Sequence, residues 1–233
     1  MILINSFILD PNEQLKIKKI ASKIAGYFCY KSDIVEINIL IQDGLIDFIK
    51  LGLKDMDLVI LKNYIWAVGN IAIEAQLHCS IVNREIIFEI INHSKDLLEH
   101  VITYQRESNA SNVIFQHTGE NVPLENEPSE LVQTGINTFK ESVFTICAAI
   151  NGSDIKCDDI VRIVNYSNSI VLYILTTALV YFDNIYDLQK EILRALYQIC
   201  FLEKIKNDNM PVPTSEDAEN VNMESVNDIL SPP

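Results

Sequence analysis

The string Asn63-Tyr64-Ile65-Trp66-Ala67-Val68-Gly69-Asn70-Ile71-Ala72 holds the single tryptophan of a 233-residue chain, four residues before an asparagine. On a helix of about 100° per residue, Asn70 lies about 40° from Trp66, Asn63 about 60°, and Ile73 about 20° to the other side. Leu61, Tyr64, Val68, Ile71 and Ala72 fall in the opposite arc, so a core face forms without Trp66 and Asn70. These two make a separate stripe at a spacing where side chains are neighbours. Its chemistry suits an extended basic peptide. An asparagine amide carries both a donor and an acceptor for a strand backbone. An indole offers a flat wall for a lysine or arginine stem and a π-face for the cation, a contact of about 0.5–2 kcal/mol. The alternative is a tryptophan used only to pack one helix on another.

Other residues that could do chemistry are sparse. His78, His93, His100 and His117 show one helical spacing, His93 and His100 on one face, without an acid or cysteine partner, so no metal site is expected. Asp158 and Asp159 read as solvated. The cysteines Cys29, Cys79, Cys147, Cys157 and Cys200 are odd in number and lack a CxxC spacing, which points to free thiols in a reducing compartment. The Asn-x-Ser triplets at Asn92, Asn109, Asn151 and Asn165 carry no weight in such a compartment. Phosphate-binding glycine loops and the nucleophile and zinc-hydrolase motifs are absent, so neither a cofactor nor an enzyme is expected.

Charge narrows the partners. With 18 Lys+Arg against 32 Asp+Glu the formal net charge is -14, which argues against nucleic acid or an anionic membrane surface as a partner and fits a basic one. The most apolar run, from Ser169 to Phe182, is too short to span a bilayer and reads as a buried core helix, so no membrane insertion is expected. The start shows no secretory signal pattern.

The elements that must position the stripe are helices. Gly and Pro number 7 each, and four of the prolines follow residue 210, which leaves the body short of turn residues. The first helix is expected from Pro11, with Asp10 as cap and Leu15, Ile20, Ile24 and Phe28 as its apolar recurrence. Helices follow over 34–41, 45–53, 57–72, 75–82, 86–104, 132–150, 156–165, 169–182 and 188–206. Residues 106–130 are polar, acidic and turn-rich and predict a mobile loop. Residues 207–233 hold six acids and no Lys or Arg and predict a disordered acidic tail. The domain expected is therefore 1–206.

Repeats emerge from overlaying the segments. Ala25 to Cys29 aligns with Val68 to Ala72, Ile41 to Leu45 with Val82 to Ile86, and both Val143 to Ile150 and Leu193 to Cys200 with Ile65 to Ala72. A period in the low forties with three helices per unit is in the armadillo and HEAT range. Trp66 to Ala72 resembles the third-helix signature of importin-α armadillo repeats, Gln42 to Ile46 their first junction, and Lys190 to Leu196 the start of a third helix. The resemblance spans about residues 12–206 and is concentrated in 42–86.

That resemblance implies an all-α, armadillo/HEAT-type right-handed α-solenoid of about three to four repeats. It implies an adaptor that binds nuclear-localisation-signal peptides of cargo in a concave groove, shuttling between cytoplasm and nucleus. The peptide-binding residues would be Trp66, Asn70, Asn63, Phe144 and Gln198. Importin-β or an export receptor would be a further partner, although no basic importin-β-binding segment is evident. The overlay also departs from the family: Lys23, Phe144 and Arg194 stand where Trp66 does, and Tyr27, Ala148 and Gln198 where Asn70 does. The alternative is an armadillo scaffold for another protein, outside import.

Overall fold

In a computed structural model of the chain, residues 11–74, 81, 85–118, 129–152, 157–167 and 169–208 are described. Among them the chain is all-helical, with α1 (Pro11–Lys31), α2 (Ile34–Gln42), α3 (Leu45–Gly52), α4 (Leu58–Ile73), α5 (Ile86–Thr118), α6 (Glu130–Asn151), α7 (Cys157–Asn165), α8 (Ile170–Tyr181) and α9 (Tyr186–Asp208).

Local chemistry sets the starts. Asp33 and Glu36 form a capping box on α2: the Asp33 carboxylate accepts from Val35 and Glu36 N–H at 2.9 Å, and Glu36 accepts from Asp33 N–H at 3.2 Å. Gly44, at φ 95, occupies the left-handed region that turns α2 into α3. Asp57 caps α4 through Val59 and Ile60 N–H, and Ser129 caps α6 through Val132 N–H.

Four of these helices stand in a row. The helix α4 packs between α1 and α6, and α6 also packs on α9. Neighbours in the row run parallel. Lys18 meets Asp55 and Ser22 meets Asn63 between α1 and α4. Thr138 donates to the Leu58 carbonyl and Thr145 to that of Ile65, at 3.3 and 3.1 Å, between α6 and α4. Phe182, just before α9, stacks on Phe139 at 6.0 Å, and Asn151 at the far end of α6 donates to the Glu191 carbonyl. The helices between the rungs close the core behind the row. There α3 lies on α4, α5 on α6, and α7 and α8 on α9. Ile46, Ile65, Ile87, Phe139, Ile174 and Ile192 are wholly buried there, each contributing about 1.5–3 kcal/mol of transfer free energy.

Three expectations change. The helix α5 continues to Thr118, so the loop expected from residue 106 is helical over 106–118; residues 119–128 lie outside the described set. The last helix runs to Asp208, past the expected start of the tail at 207, and 209–233 lie outside. On α1 the apolar recurrence is not the packed face. Ile20, Ile24 and Phe28 are 60%, 49% and 54% exposed, while Ser22, Ala25 and Cys29 are buried. The reason is proximity: the Trp66 ring of α4 lies directly over Gly26, and the buried side of α1 next to it is made of small residues, with Tyr27 and Tyr30 at the edge of the ring. The short helix expected over 75–82 and the Asp10 cap fall outside the described residues, apart from a helical Ile81. Among the described residues no single helix is long and apolar enough to cross a membrane.

Candidate functional site

The Trp66 stripe is on the surface of the central rung. Leu61, Tyr64, Val68, Ile71 and Ala72 are buried as the helical wheel requires, while Asn63, Trp66 and Asn70 are half-buried. Asp57 starts the helix that sets this phase. Burial works against its charge, but the Lys19 ammonium, 2.9 Å away, and the Ile60 and Val59 amides hold its carboxyl below the usual range.

Trp66 is wedged between two rungs. Its indole lies over Gly26 of α1, where a Cβ would come within 2.7 Å of Cζ3 and closer still to Cε3. Tyr27 meets it edge-on at 5.3 Å and Tyr30 at 5.8 Å with a 35° tilt. Each tyrosine carries a cation of its own. Lys23 Nζ lies 6.0 Å from the Tyr27 centroid and Lys31 Nζ 4.5 Å from that of Tyr30. The result is a cluster of three rings flanked by two exposed ammonium groups.

The asparagines are engaged inside the protein. Asn63 donates to Ser22 Oγ at 3.0 Å, tying α4 to α1. Asn70 donates to the Trp66 carbonyl of its own helix at 2.9 Å. An incoming strand would have to take over the Asn70 donor or use its carbonyl oxygen.

Phe144 is half-buried on α6 beside Gly69, whose lack of a side chain lets Thr145 approach α4. One turn before it, Glu141 faces Lys62, which lies one turn before Trp66. Burial pushes the Glu141 carboxyl up, while Lys140 and Lys62 pull it back. Gln198 is not brought to Phe144. The contacts Phe139–Phe182 and Asn151–Glu191 set α9 about 40 residues out of step with α6, whereas the overlay of sequence segments used 50. Gln198 therefore lies beyond the end of α6, about 18 Å along the axis from Phe144. Arg194 is tied to Glu191 at 2.9 Å.

Gly26 and Tyr30 belong to the cluster although no motif marked them. In a chain with 7 glycines, one in mid-helix is a signal of close approach, and Tyr30 stands one turn from Tyr27. Cys29 and Cys147 are buried, and burial pushes the Cys29 thiol up to about 12. Among the described residues no group of three or more His, Cys, Asp or Glu is placed to hold a metal ion.

No protein-family model and no curated protein matches the chain. One solved structure, described as an engineered protein, is similar at 14% identity and a TM-score of 0.32. The match covers 84% of this chain, which spans 56% of that one.

Proposed function

We propose that the chain is an adaptor of armadillo type, in which α1, α4, α6 and α9 act as successive third helices of a right-handed solenoid. Its row of helices holds an extended segment of a partner protein across Trp66, Asn70 and Phe144. The observation that carries this is the half-buried indole on the central rung, with Asn70 one turn away, Tyr27 of one neighbouring rung against it and Phe144 of the other beside Gly69. In the import form of this reading, suggested by Trp66 to Ala72, the segment is a basic nuclear-localisation signal. The adaptor then works with an importin-β-like or export receptor in cytoplasm and nucleus.

A second form, a scaffold outside import, is favoured by Lys23 and Lys31, which already occupy the tyrosine faces that a peptide lysine would use. The two forms separate in one titration. Fluorescent lysine-rich and glutamate-rich peptides are added to the full chain and to Trp66→Ala/Asn70→Ala. Tighter binding of the lysine-rich peptide, lost in the double variant, supports import; tighter binding of the acidic one, also lost, supports the scaffold. Equal weak binding to both proteins by both peptides refutes the adaptor.

A further inference from the structure

The cations of this protein are not spread evenly. In a chain of net charge -14, Lys23 and Lys31 are exposed around the Trp66 cluster and Lys62 stands one turn from the indole. Neither Lys23 nor Lys31 forms an ion pair with another described residue, whereas Lys18 and Lys19 beside them are paired to Asp55 and Asp57 and Lys62 faces Glu141. A carboxylate arriving at Trp66 meets two exposed ammonium groups there.

The chain supplies such carboxylates itself. Residues 209–233 hold Glu216, Asp217, Glu219, Glu224 and Asp228 and no Lys or Arg. This segment leaves from Asp208, the end of the last rung. From there to Lys31 the path crosses three helix spacings of about 9 Å and runs back about 27 Å along the axis, roughly 40 Å in all. About 12 extended residues cover that distance, so Glu224 and Asp228, 16 and 20 residues past Asp208, can reach both lysines.

We propose that the acidic segment 209–233 docks in cis on the row of helices, its carboxylates on Lys23 and Lys31 and its backbone over Trp66. This deepens the adaptor reading and rests on it for the role of the surface: the segment is a built-in competitor that a partner must displace, and it favours partners richer in acid than itself.

Trp66, the only tryptophan, reports occupancy in the full-length protein. Its quenching by neutral acrylamide is compared between the wild type and a chain with all five carboxylates converted to amides (Glu216→Gln, Asp217→Asn, Glu219→Gln, Glu224→Gln, Asp228→Asn). Lys23→Gln/Lys31→Gln is made in both backgrounds, with circular dichroism as a check on folding. The expected result is quenching about twofold or more stronger in the amide chain at low salt, with the difference lost at about 0.5 M salt. The lysine variant should match the amide chain, and combining the changes should add nothing. The proposal is overturned by equal quenching in wild-type and amide chains. It is also overturned if the difference persists without the lysines, or if it grows with protein concentration, which would mean the segment of a second copy. The peptide titration above, repeated on the amide chain, decides the adaptor reading separately. If the quenching result holds and neither peptide binds, the segment docks on a surface that is no adaptor.

Discussion

Replacing Gly26 by alanine puts a methyl group where the indole of Trp66 now lies. The added Cβ would sit 2.7 Å from Cζ3 and closer to Cε3, well inside contact distance. The ring cannot swing aside freely, because Tyr27 and Tyr30 contact it and Asn63 ties its helix to Ser22. Forcing a methyl into such packing costs about 2–3 kcal/mol. Against this, alanine in mid-helix gains about 1 kcal/mol over glycine. The net loss for Gly26→Ala is about 1–2 kcal/mol, a fall in Tm of about 2–8 °C for a chain of this size. Gly135 supplies the opposite sign. It is also mid-helix, but its added Cβ meets only Leu58 Cδ1 at an ordinary 3.9 Å, so Gly135→Ala should gain about 0.5–1 kcal/mol. Thermal melts followed by circular dichroism measure both, and tryptophan emission of Gly26→Ala should shift as the indole moves. If Gly26→Ala were as stable as Gly135→Ala and kept the wild-type emission, the indole would not be wedged against α1 and the cluster as drawn would be wrong.

Asp57→Ala removes the cap of α4 together with the Lys19 ion pair and should cost about 1 kcal/mol at neutral pH, read by urea melts. The carboxyl is held below its ordinary range in the folded state. Its contribution is therefore full above the unfolded value of about 4 and lost as pH falls through the folded one. The gap between wild type and variant must narrow below about pH 4; a gap that widens there would contradict the sign. Among Cys29, Cys147 and Cys200, maleimide at pH 8 should label the exposed Cys200 first, because Cys29 and Cys147 are buried and desolvation disfavours their thiolates. Peptide mass mapping that finds Cys29 or Cys147 modified first would place those helices in different packing.

The phase of α4 was legible in the sequence because it depends on one helix alone. Once apolar residues fall at Leu61, Tyr64, Val68 and Ile71, Trp66 and Asn70 must share another arc. The start of α4 was legible to within one residue, since the helix expected from 57 begins at Leu58 with Asp57 as its cap. The all-helical class was legible too, as a succession of long and short helical segments.

What spans two helices was not. The apolar residues of α1 pointed to a core face through Ile20, Ile24 and Phe28, yet the packed side is Ser22, Ala25, Gly26 and Cys29. That choice was made by the size of the indole on α4, which hydrophobicity counted along α1 does not contain. The overlay of Leu193 to Cys200 on Val143 to Ile150 does not carry over to space either, since the slide between α6 and α9 is fixed by Phe139 on Phe182 and Asn151 on Glu191. So the sequence determined that there is a stripe and which residues can stand on it. The tertiary structure alone decided its neighbours, because rotation and slide between helices are set by side-chain volumes and polar contacts contributed from both sides. By that route a tryptophan with the chemistry to receive lysines came to stand between two lysines of its own chain.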